Sequence, residues 1–176
     1  MTRRATGRGA LLALVLTLGL GGLGALAGCG TDEAPDDDST VDDLVQRMDA
    51  TIGGPLHDAA DAGGIAFTSG TRRMTICGED YAPVGVSVGN IMKFQAPADL
   101  PDEEALRAIG DVLTGDGWQV EQPTGERLDA TKDDLTLSVQ AGVAYVVNLD
   151  GECAETSEEV AKSHDERPSE KIVWDR

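Results

Sequence analysis

The chain has 176 residues, 14 Lys plus Arg against 32 Asp plus Glu, a formal net charge of −18, and only 3 % aromatic residues. That length allows one domain, and the surplus of acid argues against nucleic acid as a partner, because phosphates demand Lys and Arg. Residues 1 to 28 contain no acid and carry Arg3, Arg4 and Arg8, followed by a run from Ala10 to Gly28 whose only polar member is Thr17. A positive n-region before an apolar h-region predicts an export signal.

The h-region ends in Leu26-Ala27-Gly28-Cys29, which is similar to the lipobox of bacterial lipoproteins. Small residues there fit the signal peptidase, and the Cys29 thiol accepts diacylglycerol. The alternative is an uncleaved membrane helix, since the run just reaches spanning length, but glycines at 19, 21, 22, 24, 28 and 30 weaken it. Thr2-Arg3-Arg4 faintly matches a twin-arginine signal, yet Ala5 and Thr6 follow where bulky apolar residues belong, which favours the general secretory route.

Removing residues 1–28 with their three arginines leaves 148 residues, 11 basic and 32 acidic, a side-chain balance of −21. The two or three acyl chains of a processed lipoprotein Cys hold stably in a bilayer where one chain binds reversibly. The expected location is the cell membrane, lipid-anchored, on the extracytoplasmic side. Residues 29–40 include Asp32, Glu33, Pro35 and Asp36-Asp37-Asp38 and read as a disordered, self-repelling tether. A calcium loop is the sharper alternative, but the D-x-D-x-D-G spacing fails at Thr40 and Val41.

The domain is expected over 41–153. Val41, Leu44, Val45, Met48 and Ile52 share a helical face, with Thr40 and Asp43 in a capping arrangement, and Gly53-Gly54-Pro55 breaks the helix. A short helical piece from Pro55 to Ala62 stops at Gly63-Gly64. Ile65–Thr68 and Arg72–Cys77 read as strands; Val84, Val86 and Val88 alternate as another, with a bulge expected at Gly89-Asn90 before Ile91–Phe94.

After a loop over 96–101, Ala105, Leu106, Ile109, Val112 and Leu113 mark a helix behind the acidic turn Asp102-Glu103-Glu104, ended by Gly115-Asp116-Gly117. Trp118 and Val120 start a strand. Leu135, Leu137 and Val139, then Val143, Tyr145, Val147 and Leu149, form a hairpin around Ala141-Gly142. Residues 154–176 read as a polar, frayed C-terminal tail in which Ile172, Val173 and Trp174 offer a late contact. This order of elements predicts an α+β fold, a single small domain with a mainly antiparallel sheet, two helices packed on one face and one disulfide.

That disulfide follows from three cysteines in an exported chain: Cys29 takes lipid, and Cys77 pairs with Cys153, stapling the first strand to the last. A redox or metal use of the pair lacks a C-x-x-C spacing and a nearby His.

Five patterns imitate chemistry. Gly85-Val86-Ser87-Val88-Gly89 matches the G-x-S-x-G nucleophile elbow, which needs a sharp strand-to-helix turn and a His base. Valines 84, 86 and 88 keep the strand alternating straight through Ser87, and strand rather than helix follows, so Ser87 reads as a strand serine. Gly19–Gly24 matches G-x-G-x-x-G but lies in the discarded signal. His57 and Asp61 at i and i+4, with Asp58, fit two metal ligands or a base and its orienter, but two ligands do not make a zinc site and a surface ion pair is the commoner use of this spacing. The turn Glu79-Asp80-Tyr81 offers a binding edge or a solvated acidic loop; Arg72-Arg73 offers an anion site or pairing with local carboxylates.

Taken together, the lipobox, a helix bearing Met48, the single Cys after Arg73-Met74-Thr75-Ile76, a Val-rich strand, a helix closing in Gly117-Trp118 and a terminal strand ending Leu149-Asp150-Gly151-Glu152-Cys153 resemble the LppA-type lipoproteins of mycobacteria and related actinobacteria. The resemblance runs from about Leu44 to Cys153. It implies an envelope lipoprotein and carries over no catalytic residue.

The expectation is therefore a non-enzymatic extracytoplasmic binding or accessory module. Its site residues are Cys29 for lipidation and Cys77 and Cys153 for the disulfide, with no catalytic residue, cofactor or metal. Its partners are the membrane, through Cys29, and an envelope protein or small ligand. Two alternatives stand beside it: a hydrolase-like envelope enzyme joining Asp80 or Asp133 to His57, and an accessory protein that meets a basic partner with its acidic surface.

Overall fold

The structure is a computed structural model and describes residues 37–175. The expected signal peptide, Cys29 and the expected tether as far as residue 36 lie outside the described residues.

Helix α1 spans Asp37–Thr51 and buries Val41, Leu44 and Met48. It begins four residues earlier than Val41, because acidic side chains suit the positive end of a helix. Thr40 is therefore inside the helix instead of capping it, and its hydroxyl donates to the Glu155 carbonyl at 3.0 Å. A π-helical turn, Ile52–Leu56, follows, with Gly54 outside helical geometry ahead of Pro55. Helix α2, His57–Gly63, ends at Gly64 in the left-handed conformation that glycine adopts without steric cost.

Among the described residues eight strands form one sheet: β1 Ala66–Glu79, β2 Ala82–Gln95, β3 Gln119–Val120, β4 Arg127–Lys132, β5 Leu135–Gln140, β6 Ala144–Gly151, β7 Ala154–Glu155 and β8 Glu170–Lys171. The order is β3-β4-β5-β6-β2-β1-β8, with β7 continuing the β6 side of β2, and every pairing is antiparallel. Helix α3 is Asp102–Gly115 and α4 is Glu158–Asp165.

One face of the sheet is covered. Val86, Val88, Met92 and Phe94 of β2, Leu137 and Val139 of β5, and Tyr145, Val147 and Leu149 of β6 meet Leu44 and Met48 of α1 and Leu106, Ile109 and Leu113 of α3 in a single core. Successive strand residues point to opposite faces, so the intervening residues form a second face that no helix among the described residues covers.

Four expectations are corrected. The two short strands around Ser69 are one continuous β1, Gly70 lying within it because a Cβ there would crowd Ile172 and Met92. Gly89-Asn90 carries no bulge; β2 keeps register through both, and the shifts fall instead between Phe67 and Ser69 and between Cys77 and Gly78. Strand β4 was not predicted, since Leu128 and Ala130 are its only buried apolar residues. Finally, residues 154–175 do not fray.

In that last segment β7 pairs with β2, and α4 buries Ala161 and His164. His164 Nε2 lies 2.7 Å from Asp38 Oδ1 and its Nδ1 3.1 Å from Met74 Sδ, so it ties α4 to both α1 and β1. Beyond β8, Trp174 stacks between His57 and Phe67, at centroid distances of 5.0 and 4.9 Å.

Cys77 and Cys153 form the disulfide, with Cα atoms 6.1 Å apart, inside the usual range. It spans β2 at Gly85, which pairs with Cys77 on one side and Glu155 on the other. A Cβ at Gly85 would lie 2.8 Å from Cys153 Sγ and against the Ala154 carbonyl, so only glycine fits beneath the crossing. The bridge holds the first strand; the last strand is β8, beyond its reach in sequence.

Candidate open-face site

The register of the sheet fixes which side chains share the uncovered face. Lys171, Thr71, Ile91, Asn148, Ser138 and Asp129 lie in one cross-sheet row. Arg73, Gly89, Asp150, Thr136 and Thr131 lie in the next. Across its middle runs a groove of about 590 Å³, lined by Thr71, Arg73, Ser87, Ile91, Asp150 and Ser169 among others. Ile91 is 51 % exposed there, an uncommon position for isoleucine on an otherwise polar surface.

The adjacent arginines take opposite fates. Arg72 points to the helices, 8 % exposed, donating from Nε to Asn90 Oδ1 at 3.0 Å and pairing with Asp49. Asn90 in turn donates to the Leu149 carbonyl at 3.4 Å. Arg73, one residue on, points to the groove and makes no ion pair among the described residues. Strand alternation thus resolves the two readings of the Arg72-Arg73 pair: local carboxylate pairing holds for Arg72, and Arg73 stays available.

Asp150 faces Arg73 across Gly89, each of them a register partner of that glycine. A Cβ at position 89 would lie 2.9 Å from Asp150 Oδ1, so the carboxylate leans over the glycine. Although Asp150 is exposed by area, protein on its flanks desolvates the carboxyl and raises its pKa above the ordinary value. No hydrogen-bond donor reaches it among the described residues.

Ser87 sits on the same open face, paired with Thr75 in unbroken strand. Both glycines of its G-x-S-x-G run have packing reasons: Gly85 clears the disulfide and Gly89 clears Asp150. Both histidines lie on the opposite side of the sheet, His57 against Trp174 and His164 beneath α4. His57 Nδ1 also lies 3.8 Å from Asp61 Oδ2, the i and i+4 contact that its spacing predicts. Asp80 follows the far end of β1 from Phe67 and Trp174, roughly 40 Å of strand away from His57. Asp133 occupies the β4–β5 turn in a left-handed conformation, next to Asp134, which pairs with Arg47. Tyr81 is exposed in the β1–β2 turn.

A second cavity, about 490 Å³, lies between α3 and the β3–β4 segment, where Arg107 is already paired with Glu103. Among the described residues no three His, Cys, Asp or Glu side chains converge as a metal site, and no helix is long and apolar enough to cross a membrane. Comparison with known protein families, curated proteins and solved structures gives no match.

The groove residues were not predicted as a group. Arg73, Gly89 and Asp150 are 16 and 61 residues apart and meet only through the β1–β2 and β2–β6 register. The one signal for it was the Arg72-Arg73 pair within a strand, where alternation must send one arginine outward.

Proposed function

We propose that the chain is a lipid-anchored cell-envelope lipoprotein of non-enzymatic type, held outside the membrane through Cys29, and that its domain is a binding module that uses the open face of the sheet. The observation that carries the binding role is the one-sided architecture. Every helix among the described residues packs on one face, while the other offers a groove with an isoleucine, a cation and a carboxylate that make no bond to each other. Antiparallel sheets tolerate one solvated face, and a polar face with such a groove suits recognition.

The lipobox, the resemblance to LppA-type lipoproteins and a disulfide suited to an oxidising compartment support the anchored, exported reading. The placement of Ser87 and the two histidines on opposite sides of the sheet weighs against a hydrolase, whose nucleophile and base must share hydrogen-bond reach.

Site-specific photo-crosslinking in intact cells tests this reading. A photo-reactive residue at Ile91 should give a reproducible adduct, and one at the exposed Asp111 of α3 should not. Adducts from Asp111 alone would overturn the assignment of the binding face.

A further inference from the structure

Six of the ten Lys and Arg side chains among the described residues are in ion pairs, as expected where acid is in excess. The other four are Arg73, Lys93, Arg167 and Lys171. Three of these face the open side of the sheet: Arg73 opposite Gly89, Lys93 opposite Val146, and Lys171 opposite Thr71. Of the three, Arg73 lines the groove, and Lys171 lies one row away across Thr71.

The opposite wall of the groove is Asp150. Arg73 and Asp150 are separated by two strand spacings, about 10 Å between Cα atoms, with only the hydrogen of Gly89 between them. The groove therefore has a cationic end, Arg73 with Lys171 nearby, and an anionic end. The rows on either side of that glycine supply the hydroxyls of Thr71, Thr75 and Ser87 and the apolar side chain of Ile91. A purely anionic ligand long enough to fill the groove meets repulsion at Asp150, and a purely cationic one meets it at Arg73.

Accepting the open face as the binding surface, we propose that this groove binds a short zwitterionic peptide, its terminal carboxylate on Arg73 and its terminal ammonium on Asp150. An extended chain advances about 3.3–3.6 Å per residue, so a peptide of two or three residues spans the strands that carry the two walls. The hydroxyls of the groove can serve the peptide groups, and Ile91 can pack on a small side chain. The ammonium would also compensate Asp150 for its desolvation.

The test is calorimetric titration of the full chain in detergent micelles with Ala-Ala-Ala, its N-acetyl form and its C-terminal amide. Each cap should weaken binding about tenfold or more, the usual loss when a charge-assisted hydrogen bond goes. Arg73→Gln should bind the tripeptide and its amide equally while still rejecting the N-acetyl form. Asp150→Asn should show the converse. Both residues are exposed, so both variants should keep the parent thermal midpoint.

Tripeptide binding that ignores both substitutions would overturn the proposal. So would a site for inorganic phosphate that Arg73→Gln abolishes and Asp150→Asn strengthens, which would mark a plain anion site. Adducts from Ile91 in cells with no tripeptide affinity would overturn the ligand class and leave the open-face reading standing. Absence of Ile91 adducts would overturn that reading itself.

Discussion

Replacing Arg72 and Arg73 in turn by Met should have very different consequences, although the two are neighbours of one type. Arg72→Met removes the donor to Asn90 Oδ1, whose residue is wholly buried, and breaks the pairing with Asp49. An orphaned buried acceptor costs about 1–3 kcal/mol, and a charged donor places this one at the upper end. Asp49 is 57 % exposed and returns to water, so its part is small. The expected total is about 3 kcal/mol. Arg73→Met leaves no buried partner behind and should stay within about 0.5 kcal/mol of the parent.

In urea, with a slope near 2 kcal/mol/M for a small domain, the first variant should lower the midpoint by roughly 1.5 M and the second by less than about 0.3 M. Far-UV circular dichroism on both proteins decides it. Equal shifts, or a larger one for Arg73→Met, would refute the face assignment on which the site rests.

Reduction of the Cys77–Cys153 bridge, which closes a loop of 76 residues, should cost about 4 kcal/mol and lower the thermal midpoint by roughly 15 °C; an unchanged melt with both thiols freed for labelling would contradict this. Gly85→Ala should prevent formation of that bridge or unfold the domain, which non-reducing electrophoresis and a melting curve will show, because the methyl meets the Ala154 carbonyl and the Cys153 sulfur. Tyr145 donates to Asp102 at 2.7 Å, and burial followed by that bond raises its pKa. A raised phenol contributes stability that is complete below about pH 10, where the unfolded tyrosine titrates, and is lost as pH climbs toward the folded value. Tyr145→Phe should therefore lose less stability than the parent between pH 9 and 11, measured by urea midpoints; identical slopes would remove Tyr145 from the account.

The antiparallel sheet and the helices on one face were legible because the patterns were strong. The 3.6-residue spacing of Leu106, Ile109 and Leu113 and the alternation of Leu135, Leu137 and Val139 each reappear as buried positions. The break at Gly53-Gly54-Pro55 was legible for the same reason, since few residues interrupt a helix so firmly.

What escaped notice is held by tertiary contacts between weak local signals. Helix α4 has two buried residues, Ala161 and His164, in an otherwise charged segment, and it docks because His164 finds Asp38 and Met74. Trp174 stays ordered between His57 and Phe67, partners more than a hundred residues upstream. Glycines 85 and 89 read as motif or bulge because their reasons, a crossing disulfide and a leaning carboxylate, lie on other strands.

The central claim is that a lipid on Cys29 anchors a binding domain outside the membrane. Mass spectrometry of the N-terminal peptide from the membrane-extracted protein tests it most directly. The expected peptide begins at Cys29 and carries diacylglycerol, and it is lost in Cys29→Ala. An N-terminus upstream of Cys29, or an unmodified Cys29 on a fully processed chain, would contradict it.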